Sequence, residues 1–312
     1  MFDLVGKRRW YFLISGIIIL LSIAAMVYST ISYGAPVRLG VDFTGGGLFV
    51  LRFQEEATED GIRRVFEANR FDDPVIQQLG AHEENAWQVR TSFATQSQVT
   101  EIQDQLESEV APIDRGTSSY DSVNPSAGVK LLQAVALAVA VTLILGSLFI
   151  WYSSQRMPHA FRYGLCALIV MLHNVLVTTG FFAIMGILIG WKVDTFVLIA
   201  ILAVVGFSVH DLVIVLDRIR KNSLRRRGES FETLANRSVL ETVNRSLITQ
   251  LSVTFIVAAV LFFDGAAVGK LLSTLLVGMI GAAYASLCIA VPLLVVWETG
   301  EFGFRRERSA TV

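Results

Sequence analysis

Apolar runs long enough to cross a hydrocarbon layer of about 30 Å recur six times along the chain, at 11–29, 129–150, 163–188, 195–216, 246–263 and 271–297. They predict six transmembrane helices. One long polar stretch, 31–127, separates the first run from the other five. Inside it the period shortens and alternates. Leu48 to Phe53 is β-rich, Thr58 to Arg70 carries Ile62, Val65 and Phe66 at helical spacing, and Val75 to Leu79 and Trp87 to Thr91 flank a polar turn at His82-Glu83-Glu84-Asn85. Gln98 to Val110 places Val99, Ile102, Leu106 and Val110 on one helix face, and Ser118 to Val123 supplies a last strand. The order βαββαβ is that of a split βαβ, or ferredoxin-like, α+β domain.

Composition agrees with a membrane protein: 312 residues, 53% hydrophobic and 17% charged, with a mean hydropathy of +0.57, hold more apolar surface than one soluble core can bury. The net charge of −1 conceals two environments, because positions 36–125 hold 7 basic and 16 acidic residues while the remainder is basic. Lys7, Arg8 and Arg9, Arg156 and Arg162, Arg218 to Arg227 with Arg237, and Arg305, Arg306 and Arg308 all fall on one side of a six-span topology. The positive-inside rule makes that side cytoplasmic. The expected organisation is therefore a cytoplasmic N-terminus and first helix at 1–30, an extracytoplasmic domain at 31–127, five further helices at 128–300 with a basic cytoplasmic loop at 217–245, and a cytoplasmic tail at 301–312. The first apolar run is longer than the core of a secretory signal and reads as an uncleaved anchor. Cys166 and Cys288 both lie in membrane helices, so no disulfide framework is implied.

Candidate chemistry centres on Asp211, which interrupts the run Phe196 to Leu216 where a carboxylate costs about 2.5–3.5 kcal/mol on insertion scales. Ser208, Val215 and Arg218 share its helix face, whereas His210 points about a quarter-turn away. Ser238, Thr242, Arg245, Thr249 and Ser252 draw a polar stripe down the fifth segment, and Arg245 reaches a depth comparable to Asp211. Desolvation favours the neutral acid and an adjacent guanidinium the charged one. Moving the two helices would therefore load and unload a proton; a static ion pair locking two helices is the alternative.

His173 and Asn174 lie in the third segment with Thr178 one turn on, as interhelical hydrogen-bond partners or part of a proton path. Gly45-Gly46-Gly47 lacks a following Gly-Lys-Ser/Thr and reads as a tight chain reversal. The basic run Arg218 to Arg227 suits anionic lipid headgroups rather than nucleic acid. Gly278, Gly281, Ala282, Ala283, Ala285 and Ser286 suggest close packing of the last helix. No metal-ligand spacing, cofactor motif or nucleophile arrangement emerges, so the chain reads as a non-enzyme.

Val41-Asp42-Phe43-Thr44-Gly45-Gly46, Val205-Gly206-Phe207-Ser208-Val209-His210-Asp211, Asp217-Arg218-Ile219-Arg220-Lys221-Asn222, Asn236-Arg237-Ser238 through Thr242, Arg245 and Thr249, and Tyr284 to Pro292 occur in this order. Together they resemble the SecF family of export membrane proteins, relatives of the resistance-nodulation-division transporters. The resemblance implies proton coupling at Asp211 and Arg245, a SecD partner, the SecYEG channel, YajC as a further candidate, and an unfolded exported polypeptide as cargo in the inner membrane. Two positions depart from the family pattern: His210 stands where Asn is common, and Asn174 where Asp is common. Two rivals are a half-unit of a small-molecule exporter, disfavoured by the small acidic outer domain, and a scaffold subunit whose intramembrane charges only hold helices together.

Overall fold

The computed structural model describes residues 3–300 except 72–73, 80–84, 124, 226–227 and 264–268, and omits the side chains of 41, 123, 125–127, 225, 244–245 and 263. The chain divides into two units, Leu39–Ala134 and the remainder. The tail arginines Arg305, Arg306 and Arg308, the turn residues His82 to Glu84 and the link at Asp264 lie outside the described residues.

In the smaller unit a short helix α2 (Val41–Thr44) turns at Gly45, φ +78°, into β1 (Gly46–Arg52). The chain reversal expected of the glycine run thus rests on Gly45, and Gly46 and Gly47 already belong to the strand. Then follow α3 (Glu59–Ala68), β2 (Val75–Leu79), β3 (Ala86–Thr91), α4 (Gln96–Glu109) and β4 (Ser119–Val123). Thr58 starts α3 by accepting a hydrogen bond from Gly61 N–H at 3.3 Å, and Gln98 Oε1 accepts from Thr95 N–H at 3.0 Å at the head of α4. The four strands form one antiparallel sheet in the order β2-β3-β1-β4.

Alternation places Phe49, Leu51, Trp87, Val89 and Ile76 on the sheet face covered by Ile62, Val65 and Phe66 of α3 and Val99, Ile102 and Leu106 of α4. Phe49 is fully buried, with its ring edge-on to Phe66 at 5.1 Å and tilted against Tyr120 at 4.7 Å. The Tyr120 hydroxyl bridges the backbone of Ala94, donating to its carbonyl at 2.9 Å and accepting from its N–H at 3.0 Å.

The larger unit is helical: α1 (Arg8–Tyr33), the part of α5 (Pro125–Ser153) from Val135 on, α6 (Ala160–Ile189), α7 (Thr195–Arg225), α8 (Phe231–Phe263), α9 (Gly269–Ala285), a π turn at Ser286–Ala290 and α10 (Val291–Thr299). Among the described residues five helices are long and apolar enough to cross a membrane: Val5–Tyr33, Gly128–Ser153, Ala160–Ile189, Thr195–Leu224 and Gly269–Thr299. A sixth arises if Phe231–Val243 and Ser246–Phe262, which meet at 42°, count as one span.

The stretch 217–245, expected as a basic loop, is mostly helix: α7 continues to Arg225 and α8 begins at Phe231. The reason is pairing along and between the two helices. Asp217 binds Arg220 and Lys221 at spacings of three and four, both at 2.6 Å, and Arg218 reaches Glu241 of α8 at 2.6 Å.

The helices pack closely where small residues allow it. On α6, an added Cβ at Gly180 would crowd Ser22 of α1, 2.7 Å from its Cα. On α9, one at Gly278 would lie 3.0 Å from Cγ1 of Val204 of α7. Gly281, from the same predicted run, has only Val177 near at 4.0 Å, so the close approach is at Gly278. Tyr163, Met171, Leu212, Leu216, Ile219 and Leu294 form the centre of the apolar core. Asn236 Oδ1 accepts from the N–H groups of Leu4 and Val5 at 2.9 and 3.3 Å, tying the start of the chain to α8.

Candidate functional site

Asp194 opens α7 by accepting a hydrogen bond from Val197 N–H at 3.0 Å. The helix then runs apolar until Ser208 and Asp211, which stand one turn apart on a buried face, 1% and 3% exposed. Two neighbouring helices supply polar partners at this level.

From α8, Gln250 donates its amide Nε2–H to Asp211 Oδ2. From α7 itself, His210 Nδ1 lies 3.5 Å from Asp211 Oδ1 while 58% of the imidazole side chain stays exposed. The quarter-turn offset expected of His210 therefore does not separate it from its neighbour, because the ring folds back toward the carboxyl. From α6, Asn174 donates Nδ2–H to Ser208 Oγ at 2.7 Å, and its Oδ1 is 3.2 Å from His173 Nδ1. Thr178 turns its hydroxyl back to the Asn174 carbonyl at 2.8 Å. Asn174 thus serves as an α6–α7 hydrogen bond.

Arg245 lies on α8 in backbone terms, and its side chain is outside the described residues. The stripe read as Ser238, Thr242, Arg245, Thr249 and Ser252 is corrected in its lower half. Thr249 is exposed at a cavity wall, and exposed Ser252 returns its hydroxyl to Ile248 O at 2.8 Å. The buried polar row is instead Ser238, Thr242, Ser246 and Gln250. Its uniform spacing of four is the sequence signal that identifies Gln250, the member that reaches Asp211. Val215 is buried on the Asp211 face, and Arg218 is occupied by Glu241.

Two cavities meet at His210. One, about 460 Å³, is bordered by Gly206, Phe207, His210, Asp211, Thr249, Gln250 and Met279 and is largely apolar apart from the carboxyl, amide, imidazole and threonine hydroxyl. The other, about 420 Å³, is bordered by His210, Asp217, Arg218, Lys221, Glu241 and Thr242. A carboxyl buried between helices, reached through an imidazole that faces a charged cavity, is an arrangement suited to binding and passing a proton rather than to covalent chemistry.

Residues 102–300 match the family described as "Protein export membrane protein SecD/SecF, C-terminal". The chain is 35% identical to the protein translocase subunit SecF of Thermobaculum terrenum over 97% of its own length and 96% of the relative's. It is likewise 35% identical to the SecF of Anaerolinea thermophila, at 97% and 96% coverage. The crystal structure of SecDF from Thermus, titled as a translocon-associated membrane protein, superposes with a TM-score of 0.71 at 25% identity; 96% of this chain is covered but 39% of that one. The chain thus spans about two-fifths of the solved SecDF polypeptide and nearly the whole of the separate SecF subunits. With the motifs, the helical unit and the small antiparallel sheet all in agreement, the chain belongs to the SecD/SecF family of protein-export membrane proteins, as one of its SecF members.

Proposed function

We propose that this chain is the SecF subunit of the Sec translocase accessory complex and uses the proton motive force to promote export of unfolded polypeptide after ATP-driven initiation. One observation carries the coupling: Asp211, 3% exposed inside a membrane-spanning helix, is held by an amide from a second helix and borders a cavity, and His210 beside it borders both that cavity and a second one. A carboxyl alternately buried and offered a cation alternately holds and releases a proton. Arg245, on the helix that carries Gln250, is assigned the role of that cation. Each charge crossing the membrane makes available about 2.3 kcal/mol per 100 mV.

SecD is the first proposed partner, because the chain covers only 39% of the solved SecDF polypeptide; the SecYEG channel and YajC are proposed beside it on the family resemblance alone. The distribution of Lys and Arg supports cytoplasmic termini in the inner membrane, with 31–127 outside. Strand order β2-β3-β1-β4 with both helices on one face supports a ferredoxin-like reading of the outer unit. Anionic lipid is assigned to the basic run Arg218 to Arg227.

The test is Asp211→Asn in the full complex. Gradient-dependent export should be lost while insertion, partner binding and ATP-driven initiation persist. Undiminished gradient-driven export in that variant would leave the scaffold reading in its place.

A further inference from the structure

Proton exchange at a buried carboxyl needs an exit, and the geometry at Asp211 offers a specific one. Asp211 Oδ2 is occupied by the Gln250 amide, which leaves Oδ1 as the oxygen turned to His210 Nδ1 at 3.5 Å. The imidazole borders both cavities, the apolar one that contains Asp211 and the charged one beyond it. Both are large enough to hold several waters.

We infer that His210 carries the proton between the Asp211 carboxyl and the charged cavity. This rests on the proton-coupling reading of Asp211 and specifies its route.

In the step, the protonated carboxyl gives its Oδ1 proton to the neutral imidazole at Nδ1, leaving a carboxylate and an imidazolium. The imidazolium releases its Nε2 proton to water in the charged cavity. One proton has then left the carboxyl, and the ring remains neutral as its Nδ1–H tautomer until solvent exchange resets it. The reverse sequence loads the acid.

The charged groups facing this ring suit a transient imidazolium. From α7 come Asp211, Asp217, Arg218 and Lys221, from α8 Glu241, and from α9 the apolar Met279. Lys221 binds Asp217, a carboxylate it shares with Arg220, and Arg218 binds Glu241, all at 2.6 Å, so each cation nearest the exit lies against a carboxylate. An imidazolium in that cavity meets paired rather than repelling charge.

The experiment uses the full chain with its membrane partners in sealed vesicles, driven by an electrical potential, with internal pH as the readout. His210→Gln keeps the volume and removes the titrating group; proton flux should fall on the order of 100-fold, the low end for a positioned proton carrier. The limb that a titrating imidazole gives the pH–flux profile should also disappear. Free imidazole added to His210→Ala should restore flux in proportion to its concentration, and Asp211→Asn with the same imidazole reads any leak it causes. Unchanged flux and pH profile in His210→Gln, with Asp211→Asn inactive, overturns this route and leaves the coupling reading standing. Loss of flux in His210→Ala without rescue, together with an unshifted profile in His210→Gln, assigns His210 to packing and also overturns it. Full flux in Asp211→Asn removes the coupling reading and this inference with it.

Discussion

Gln250 of α8 donates its amide to Oδ2 of Asp211 of α7, so a neutral group from a second helix holds the buried carboxyl. Removing the donor while keeping the acceptor should cost about 1–3 kcal/mol. Gln250→Leu is therefore expected to lower the thermal midpoint of the detergent-solubilised protein. The double change Asp211→Leu with Gln250→Leu should recover part of that loss, because an apolar pair leaves nothing unsatisfied. A double change as unstable as the two single losses added together would count against the bond.

Asn174 and Ser208 join α6 to α7 through a 2.7 Å hydrogen bond. A double-mutant cycle of Asn174→Ala and Ser208→Ala should show a coupling of about 0.6–1.7 kcal/mol, the range of interhelical bonds in membranes. Zero coupling would mean that the two side chains act separately.

Close helix approach at Gly278 makes a size-based test possible. Gly278→Ala should destabilise the α7–α9 contact by about 1–3 kcal/mol, since the new Cβ meets Val204 with Cγ1 at 3.0 Å. Adding Val204→Ala should restore most of the thermal midpoint. Gly281→Ala, with only Val177 at 4.0 Å, should be tolerated.

In the smaller unit Tyr120→Phe removes both hydrogen bonds to Ala94 while keeping the ring against Phe49. The expected loss is about 1–3 kcal/mol, seen as faster hydrogen exchange along β1 and β4. Phe49→Ala, at the fully buried centre of this core, should cost about 3–5 kcal/mol.

Acid should loosen the end of α4. A hydrogen bond from Arg115 holds the Glu107 carboxyl below its usual range, and one from Thr117 does the same for Asp114. Because the folded values are depressed, the stabilisation is present above the ordinary carboxylate range and is lost as pH falls through the folded values. Hydrogen-exchange protection factors measured from pH 6 downward should therefore fall at the end of α4 sooner than at its start. Arg115→Gln should flatten that dependence.

Five of the six expected spans stand as single apolar helices, and the sixth, 246–263, stands only if the bent pair in α8 counts as one; runs this long were legible because a lipid bilayer is the natural solvent for so much contiguous hydrocarbon. The elements of the smaller unit were legible because the period changes at Thr58 and Gln96 with capping residues in place. Asp211 stood out by cost alone. Gln250 did not, because an amide beside Thr249 looks like one more polar residue until the row of four-residue steps from Ser238 is counted. The helical character of 217–245 was hidden for a similar reason: the density of charge reads as loop, whereas Asp217, Arg218 and Glu241 satisfy one another. His210 facing its own neighbour depends on a side-chain rotamer, and no spacing rule reports that.

The π turn at Ser286–Ala290 lies within the span Gly269–Thr299. One residue more than an α-helix needs shifts the azimuth of everything after it by about 100°. The half bearing Gly278 can thus keep its face on Val204 while the half bearing Val291 to Val296 presents a different face to its own surroundings. Such a phase slip gives one span two contact faces, one for each half, with no break in the chain between them.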